Sequence, residues 1–313
     1  MCDRIESGDT MKIGLIDLGA NSIRLVVYQV TGDTLTSLLN TKQHAQSALY
    51  IVNNKMTQEG IELIVTVVHE LIDIAKKMDL DYFKIFATDS LRDIDNQKEA
   101  VSAIESMIHY PIDVLSDQDE TMYGFEGVKK KQTLPEKGIL IDIGGASLEL
   151  TYFENEIAKH TKQIGMGSLT LYDNFVYELI PKENEQQAIR KHVYSMLSEI
   201  SWLKEIKGVN ILAIGGSARA LLRLSRDIQK RSILQTPSTL SKEQMSHLSS
   251  LDIKASKVIL KAAPNRLITI IPAAILLDEL MNFVEANIIE VSDYGVREGY
   301  LYKKILSKNK SSF

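Results

Sequence analysis

DLGANSIRLVVY, residues 17–28, and DIGGASLELTYF, residues 142–153, decide the fold of this 313-residue chain. Each reads as a strand end, then Asp-x-Gly, then small residues, then a second apolar strand. Each also follows a short apolar run, Lys12 to Asp17 in the first case and Gly138 to Asp142 in the second. A third strand-like run comes after both, at Leu35 to Thr41 and at Glu156 to Gln163, with Gly32-Asp33 as the turn signal in the first copy. The copies start 125 positions apart. Two such units imply a duplicated α/β domain with a cleft between the copies.

Working outward, Gln58 to Lys77 carries Ile61, Ile64, Val65, Val68, Leu71, Ile72 and Ala75 at helical spacing and predicts a helix. Tyr82 to Ala87 predicts a strand, Asn96 to Ile108 a helix and Ile112 to Leu115 a strand. Ser116 then suits the N-cap of a helix with Asp119 and Glu120 in its first turn, where negative charge complements the helix dipole. From Lys129 to Gly138 the chain turns basic and passes through Pro135, which places the domain boundary there. The domains expected are 11–133 and 134–293, with a closing helix over 294–308 packing back on the first. Helices at Lys182 to Trp202, Ser217 to Leu224 and Ile268 to Met281, and a strand at Ile288 to Val291, complete the second half. Strands followed by helices in each half predict an α/β architecture with a five-stranded mixed sheet in each domain.

Composition narrows the function. A 44% hydrophobic and 25% charged chain is ordinary globular material, long enough for two cores. The net charge of −5 argues against a general nucleic-acid binder, though not against a local basic strip for a polyanion such as Lys129-Lys130-Lys131. One cysteine, Cys2, rules out a disulfide framework and a cysteine metal site. No apolar run reaches membrane-spanning length, and Leu267 to Leu277 reads as a buried helix. No membrane partner and a cytoplasmic location are therefore expected. The six histidines show no paired metal-ligand spacing.

Asp-x-Gly turns suit phosphate chemistry for a physical reason. Glycine lets the backbone approach an anion, and successive N–H groups form a cradle for it. An Asp at the strand end can hold hydrated Mg²⁺ against the phosphate. The candidate cradle of the second copy is Gly144, Gly145, Ala146 and Ser147. A further turn, Gly215-Gly216-Ser217-Ala218, follows a strand at Ile211 to Ile214 and opens a helix, whose N-terminus favours anions. A plain strand-to-helix connection reads equally well there.

Six stretches resemble the exopolyphosphatase and guanosine pentaphosphate phosphohydrolase (Ppx/GppA) family of the actin-like ATPase superfamily. They are DLGANSIRLVV (17–27), ATDSLRD (87–93), LSDQDET (115–121), IDIGGASLEL (141–150), IGGSARAL (214–221) and SDYGVREGYL (292–301), in the family's order. The length resembles the short, two-domain members. The resemblance implies two ribonuclease H-like domains with an interdomain cleft, and Mg²⁺-dependent hydrolysis of a terminal phosphoanhydride. By the same resemblance Glu120 matches the general base, lying 28 residues after Arg92 and 22 before Asp142. Arg92 matches a phosphate-binding arginine. Asp142 and Glu149 match the carboxylates that organise metal and water, Asp17 helps to hold the metal, and Asn21 and Ser22 match the first phosphate loop. Inorganic polyphosphate or guanosine pentaphosphate is the substrate implied, and a homodimer is the assembly allowed for.

The chain also departs from the family. Ala146 and Leu148 stand where glycine and threonine are common, and SDQDETM replaces an SGxEEAR-like stretch, so that Asp119 and Met122 stand for Glu and Arg. Arg266-Leu267-Ile268 stands where Arg-Ala-Asp is frequent. Ala146 is expected to crowd the second loop and slow the enzyme. Two rivals follow: a sugar- or acetate-type kinase of the superfamily, and a nucleotide or polyphosphate sensor without turnover. The order of Arg92, Glu120 and Asp142-x6-Glu149 favours the hydrolase.

Overall fold

A computed structural model describes residues 10–32, 34–230 and 238–307. Cys2, Asp33 and the end of the expected 294–308 helix lie outside the described residues. The chain forms two compact units. One is built on residues up to Glu120, and the other runs from Thr121 to Ile305.

The first unit opens with an antiparallel meander of β1 (Thr10–Leu18), β2 (Ile23–Thr31) and β3 (Thr34–Gln43). A short hairpin follows, β4 (Ile51–Val52) with β5 (Lys55–Met56), turning through Asn53 and Asn54 at positive φ. Then come α1 (Gln58–Lys76), β6 (Tyr82–Ala87), α2 (Asp89–Arg92), α3 (Gln97–Ile108) and β7 (Ile112–Val114). The sheet order is β3-β2-β1-β6-β7, with β6 and β7 parallel to β1. Thr57 caps α1 by accepting the Gly60 N–H at 3.2 Å, which fixes where the helix starts. Its apolar stripe (Ile61, Ile64, Val68, Leu71, Ile72) buries against one face of the sheet, where Ile16, Leu18, Leu25, Val27 and Ile85 lie.

Next is α4 (Asp117–Lys131), with Ser116 Oγ accepting the Asp119 N–H at 3.1 Å, the cap expected from sequence. The second unit repeats the meander as β8 (Lys137–Ile143), β9 (Leu148–Glu154) and β10 (Ile157–Ile164). It continues through α5 (Ser168–Phe175), α6 (Glu183–Ser198), β11 (Asn210–Ile214), α7 (Gly215–Ile228), β12 (Thr239–Ser241), α8 (Lys242–Ser249) and α9 (Ser256–Ala262). It ends with α10 (Ile270–Phe283), β13 (Ile288–Val291) and α11 (Val296–Tyr300), the last running into a π-helical turn over Leu301–Leu306. The order β10-β9-β8-β11-β13 matches the first sheet strand for strand, but β12 adds a sixth, antiparallel edge strand beside β13. The five-stranded expectation therefore holds for the first sheet only. The expected helix Lys182–Trp202 stops at Ser198 and resumes as a 3₁₀ turn at Ser201–Glu205.

Both faces of the second sheet are covered. Ile139, Ile141, Leu150 and Ile211 share one core with α10, which is buried along Ile271, Ala274, Ile275 and Leu276. Leu140, Phe153, Leu212 and Ile214 pack under Phe125 and Val128 of α4. The division of the chain accordingly falls within α4, earlier than the 133/134 boundary read from the basic stretch. Past Glu120 this helix buries its apolar side in the second core. Tyr123 meets Tyr300 edge-to-face at 5.6 Å, so residues 296–305 group with the second unit too.

Candidate active site

In the first unit, Asp17 ends β1 directly opposite Arg24 of β2. The loop between them is tied down through its carbonyls. Ala20 O and Asn21 O accept the N–H groups of Ala48 and Gln46 at 3.1 Å each, and Ser47 Oγ donates to Ala20 O at 3.2 Å. Among the described residues all peptides are trans, so each N–H points opposite to the preceding C=O. The amides of Asn21 and Ser22 therefore turn away from the 3₁₀ turn at Ser47–Tyr50, towards the outside of the loop.

The loop of the second unit is built the same way. Gly144 N donates to Ser147 O at 3.0 Å, as Gly19 N does to Ser22 O at 3.2 Å. The carbonyls of Gly144, Gly145 and Ala146 accept from Ser168, Leu169 and Gly167 at 2.8–3.1 Å, at the start of α5. By the same trans-peptide geometry the N–H groups of Gly145, Ala146 and Ser147 form a run directed away from α5. Three successive amides aimed one way make an anion cradle. Asp142 pairs in register with Glu149 across β8 and β9, on the sheet face that also carries Leu140 and Phe153.

Arg92, at the end of α2, is 9% exposed and surrounded by carboxylates. Its Nη1 donates to Glu120 at 2.7 Å, Nη2 to Asp89 at 3.0 Å, and Nε lies 2.7 Å from Asp117 and 3.2 Å from Asp93. Burial works against the charge on Arg92, but the Glu120 hydrogen bond and the neighbouring acids outweigh it and hold the guanidinium firmly protonated. Asp89 shifts upward, chiefly through burial, with Arg92 opposing. Sequence reasoning singled out Arg92 and Glu120 separately and missed Asp89, Asp93 and Asp117. A signal was present, since Asp89 lies one helical turn before Arg92.

The glycine-rich turn at Gly215 packs on this second-unit site. Gly215 has φ +83°, and a Cβ there would run into Asp142 Oδ1, so both backbone and space demand glycine. Ser217 is committed internally: its hydroxyl donates to Ile143 O at 3.1 Å and accepts from Arg266 Nη1 at 3.0 Å. Arg266 thereby lies over Gly216. No local signal could reveal this contact, which joins residues 49 apart. Arg219 of α7 is a second basic group that sequence reading passed over. Burial first, then Arg297, lower its pKa, with Asp142 pulling the other way.

A model of the Ppx/GppA phosphatase family matches residues 26–308. The chain belongs to the Ppx/GppA phosphatase family. Members of this family are hydrolases, and among similar curated proteins is exopolyphosphatase 1 of Mycobacterium tuberculosis. It is 22% identical over 95% of this chain and 89% of its own length. A Ppx/GppA family member from Aquifex aeolicus superposes with a TM-score of 0.82 at 20% identity, covering 96% of this chain and 99% of that one. An exopolyphosphatase from Cytophaga hutchinsonii gives 0.80 at 19% identity, covering 95% and 98%. These likenesses show the fold, two ribonuclease H-like α/β units, as expected from sequence. Among the described residues no helix is long and apolar enough to cross a membrane.

For a Ppx/GppA phosphatase the donor set bears on Mg²⁺. Among the described residues no three His, Cys, Asp or Glu side chains converge as a metal cage. Mg²⁺ does not need one. It binds through one or two carboxylates, with water and substrate phosphate oxygens completing its shell. The facing Asp142 and Glu149 fit that description. Asp17 differs, because the residue opposite it is the cationic Arg24.

Proposed function

We propose that this family member is an exopolyphosphatase that releases orthophosphate from the end of inorganic polyphosphate and requires Mg²⁺. One observation carries the reading: Arg92 and Glu120, far apart in sequence and both largely enclosed, meet at 2.7 Å. That pair supplies a two-pronged phosphoryl ligand beside a carboxylate able to take a proton. A water attacks the terminal phosphorus in line, Glu120 accepts its proton, and the bond to the bridging oxygen breaks. The shortened chain leaves with the bridging oxygen's electron pair. Arg92 offsets the charge on the phosphoryl oxygens, and the amide run of Gly145, Ala146 and Ser147 is a second element suited to an anion. Asp142 and Glu149 would hold Mg²⁺, which would supply charge neutralisation. A cytoplasmic setting accords with this reading.

The test is phosphate release from long-chain polyphosphate, guanosine pentaphosphate and ATP side by side, with Mg²⁺ and with chelator. Release is expected fastest from polyphosphate and abolished by chelation. Faster release from guanosine pentaphosphate would reassign the substrate but keep the terminal chemistry. No release from any of the three would move the sensor reading ahead. Arg92→Lys is expected to lose at least about tenfold in kcat/KM, because lysine offers a point charge in place of two parallel donors. Wild-type kinetics for that variant would reduce Arg92 to a structural ion-pair partner.

A further inference from the structure

Arg92 is crowded in a way that catalysis does not require. Each of its three nitrogens already faces a carboxylate: Glu120 at Nη1, Asp89 at Nη2, and Asp93 and Asp117 at Nε. Gripping a phosphoryl group with two parallel N–H bonds needs two adjacent donors, so at least one acid must give way. The four acids differ in how readily they can leave. Asp89 and Glu120 are 28% and 18% exposed, and Asp89 lies on the same short helix as Arg92. Asp117 is 53% exposed at the first position of α4, where it can swing into water without opening the core. Asp93 is more exposed still, but its contact with Nε is longer, at 3.2 Å against 2.7 Å.

We propose that Asp117 is a specificity-determining residue that competes with the phosphoryl group for the Nε edge of Arg92. Substrate binding then includes an exchange of one anion for another on the same donor, so the carboxylate sets the affinity. A multiply charged phosphate end displaces Asp117 more readily than a singly charged one, because it gains more from the guanidinium than the carboxylate loses. The exchange thus favours highly charged chain ends over monoanions.

This inference rests on the assignment of Arg92 as a phosphate ligand, and its test separates the two. Calorimetric binding of inorganic tripolyphosphate is measured for wild type, Asp117→Asn, Arg92→Gln and the double variant, beside steady-state KM and kcat on polyphosphate. Asp117→Asn is expected to bind tripolyphosphate about 3- to 10-fold tighter, with the kinetic change falling in KM rather than kcat. In the Arg92→Gln background the gain should vanish. Unchanged or weaker binding by Asp117→Asn overturns the proposal. So does a gain that persists without Arg92, since that would mean only a general reduction in negative charge. If wild type hydrolyses nothing, the exopolyphosphatase reading falls, while the binding comparison still decides whether Asp117 competes for Arg92. Asp117→Ser, which keeps a short polar side chain at the helix start, repeats the test if the asparagine variant folds poorly.

Discussion

At the scale of single residues, Glu120 and Arg92 form one unit, and the consequences differ for each. Glu120→Gln keeps shape and a hydrogen-bond acceptor for Arg92 Nη1, now 2.7 Å away, but removes the carboxylate proposed as the base. It should lower kcat by roughly 10²–10⁴-fold while tripolyphosphate binding stays near wild type. If Asp119→Asn proves the damaging change and Glu120→Gln is nearly silent, the register of the base is off by one. The Asp119 carboxylate accepts from Ser116 Oγ at 2.8 Å within the helix cap, whereas Glu120 accepts from Arg92. Ala146 poses a different question. Its carbonyl is held by the Gly167 N–H at 2.9 Å and its own N–H belongs to the outward run of amides. Ala146→Gly should therefore raise turnover or leave it unchanged, at a folding cost of up to about 1 kcal/mol. Loss of turnover with an unchanged melting temperature would show a loop rebuilt for another ligand. Arg92 and Glu120 were each legible in sequence only through a family resemblance, and their contact was not. Nor were the contacts of Arg266 and Asp117, because a contact made by tertiary folding leaves no local pattern.

Elements were more legible than contacts, and the reason is periodicity. Tyr82–Ala87 and Ile288–Val291 come out with the bounds read from sequence, because short β-rich runs between turn signals leave little freedom. The hairpin at Ile51–Met56, the short α2, and the strand Thr239–Ser241 were missed, being too brief to show a period. The closing helix was legible, but what it packs on was not. A Cβ at Gly299 would overlap the carbonyl oxygen of Tyr123, and one at Gly127 would overlap that of Gly295. Helices α4 and α11 thus touch backbone to backbone, and no larger residue fits without moving one of them. Gly299→Ala should gain up to about 1 kcal/mol in helix propensity and lose about 1–3 kcal/mol to overpacking. Net destabilisation in urea titration is expected. A stabilised variant would mean the helices stand further apart than this.

For the molecule as a whole, the internal repeat was the strongest signal, and it survives as two sheets with the same strand order and two loops with the same carbonyl anchoring. What the repeat could not show was where the cores divide. The first core gathers Ile16, Leu25, Ile64, Val68 and Ile85, and the second gathers Ile139, Leu150, Ile211, Ile275 and Leu276, with no residue common to both. Burial of apolar surface is the main stabilising term for each, so each core sets its own melting behaviour. Two separate cores need not unfold as one cooperative unit. Heating is therefore expected to give more than one transition, with a calorimetric enthalpy above the van't Hoff value. Ile64 and Ile275 are both essentially inaccessible to solvent, so truncating either leaves a cavity worth about 2–5 kcal/mol. Ile64→Ala should shift one transition and Ile275→Ala the other, each leaving its counterpart within about a degree of wild type. If both variants instead lower a single sharp transition by equal amounts, and the two enthalpies agree, the units melt together and the division into two cores has no thermodynamic meaning.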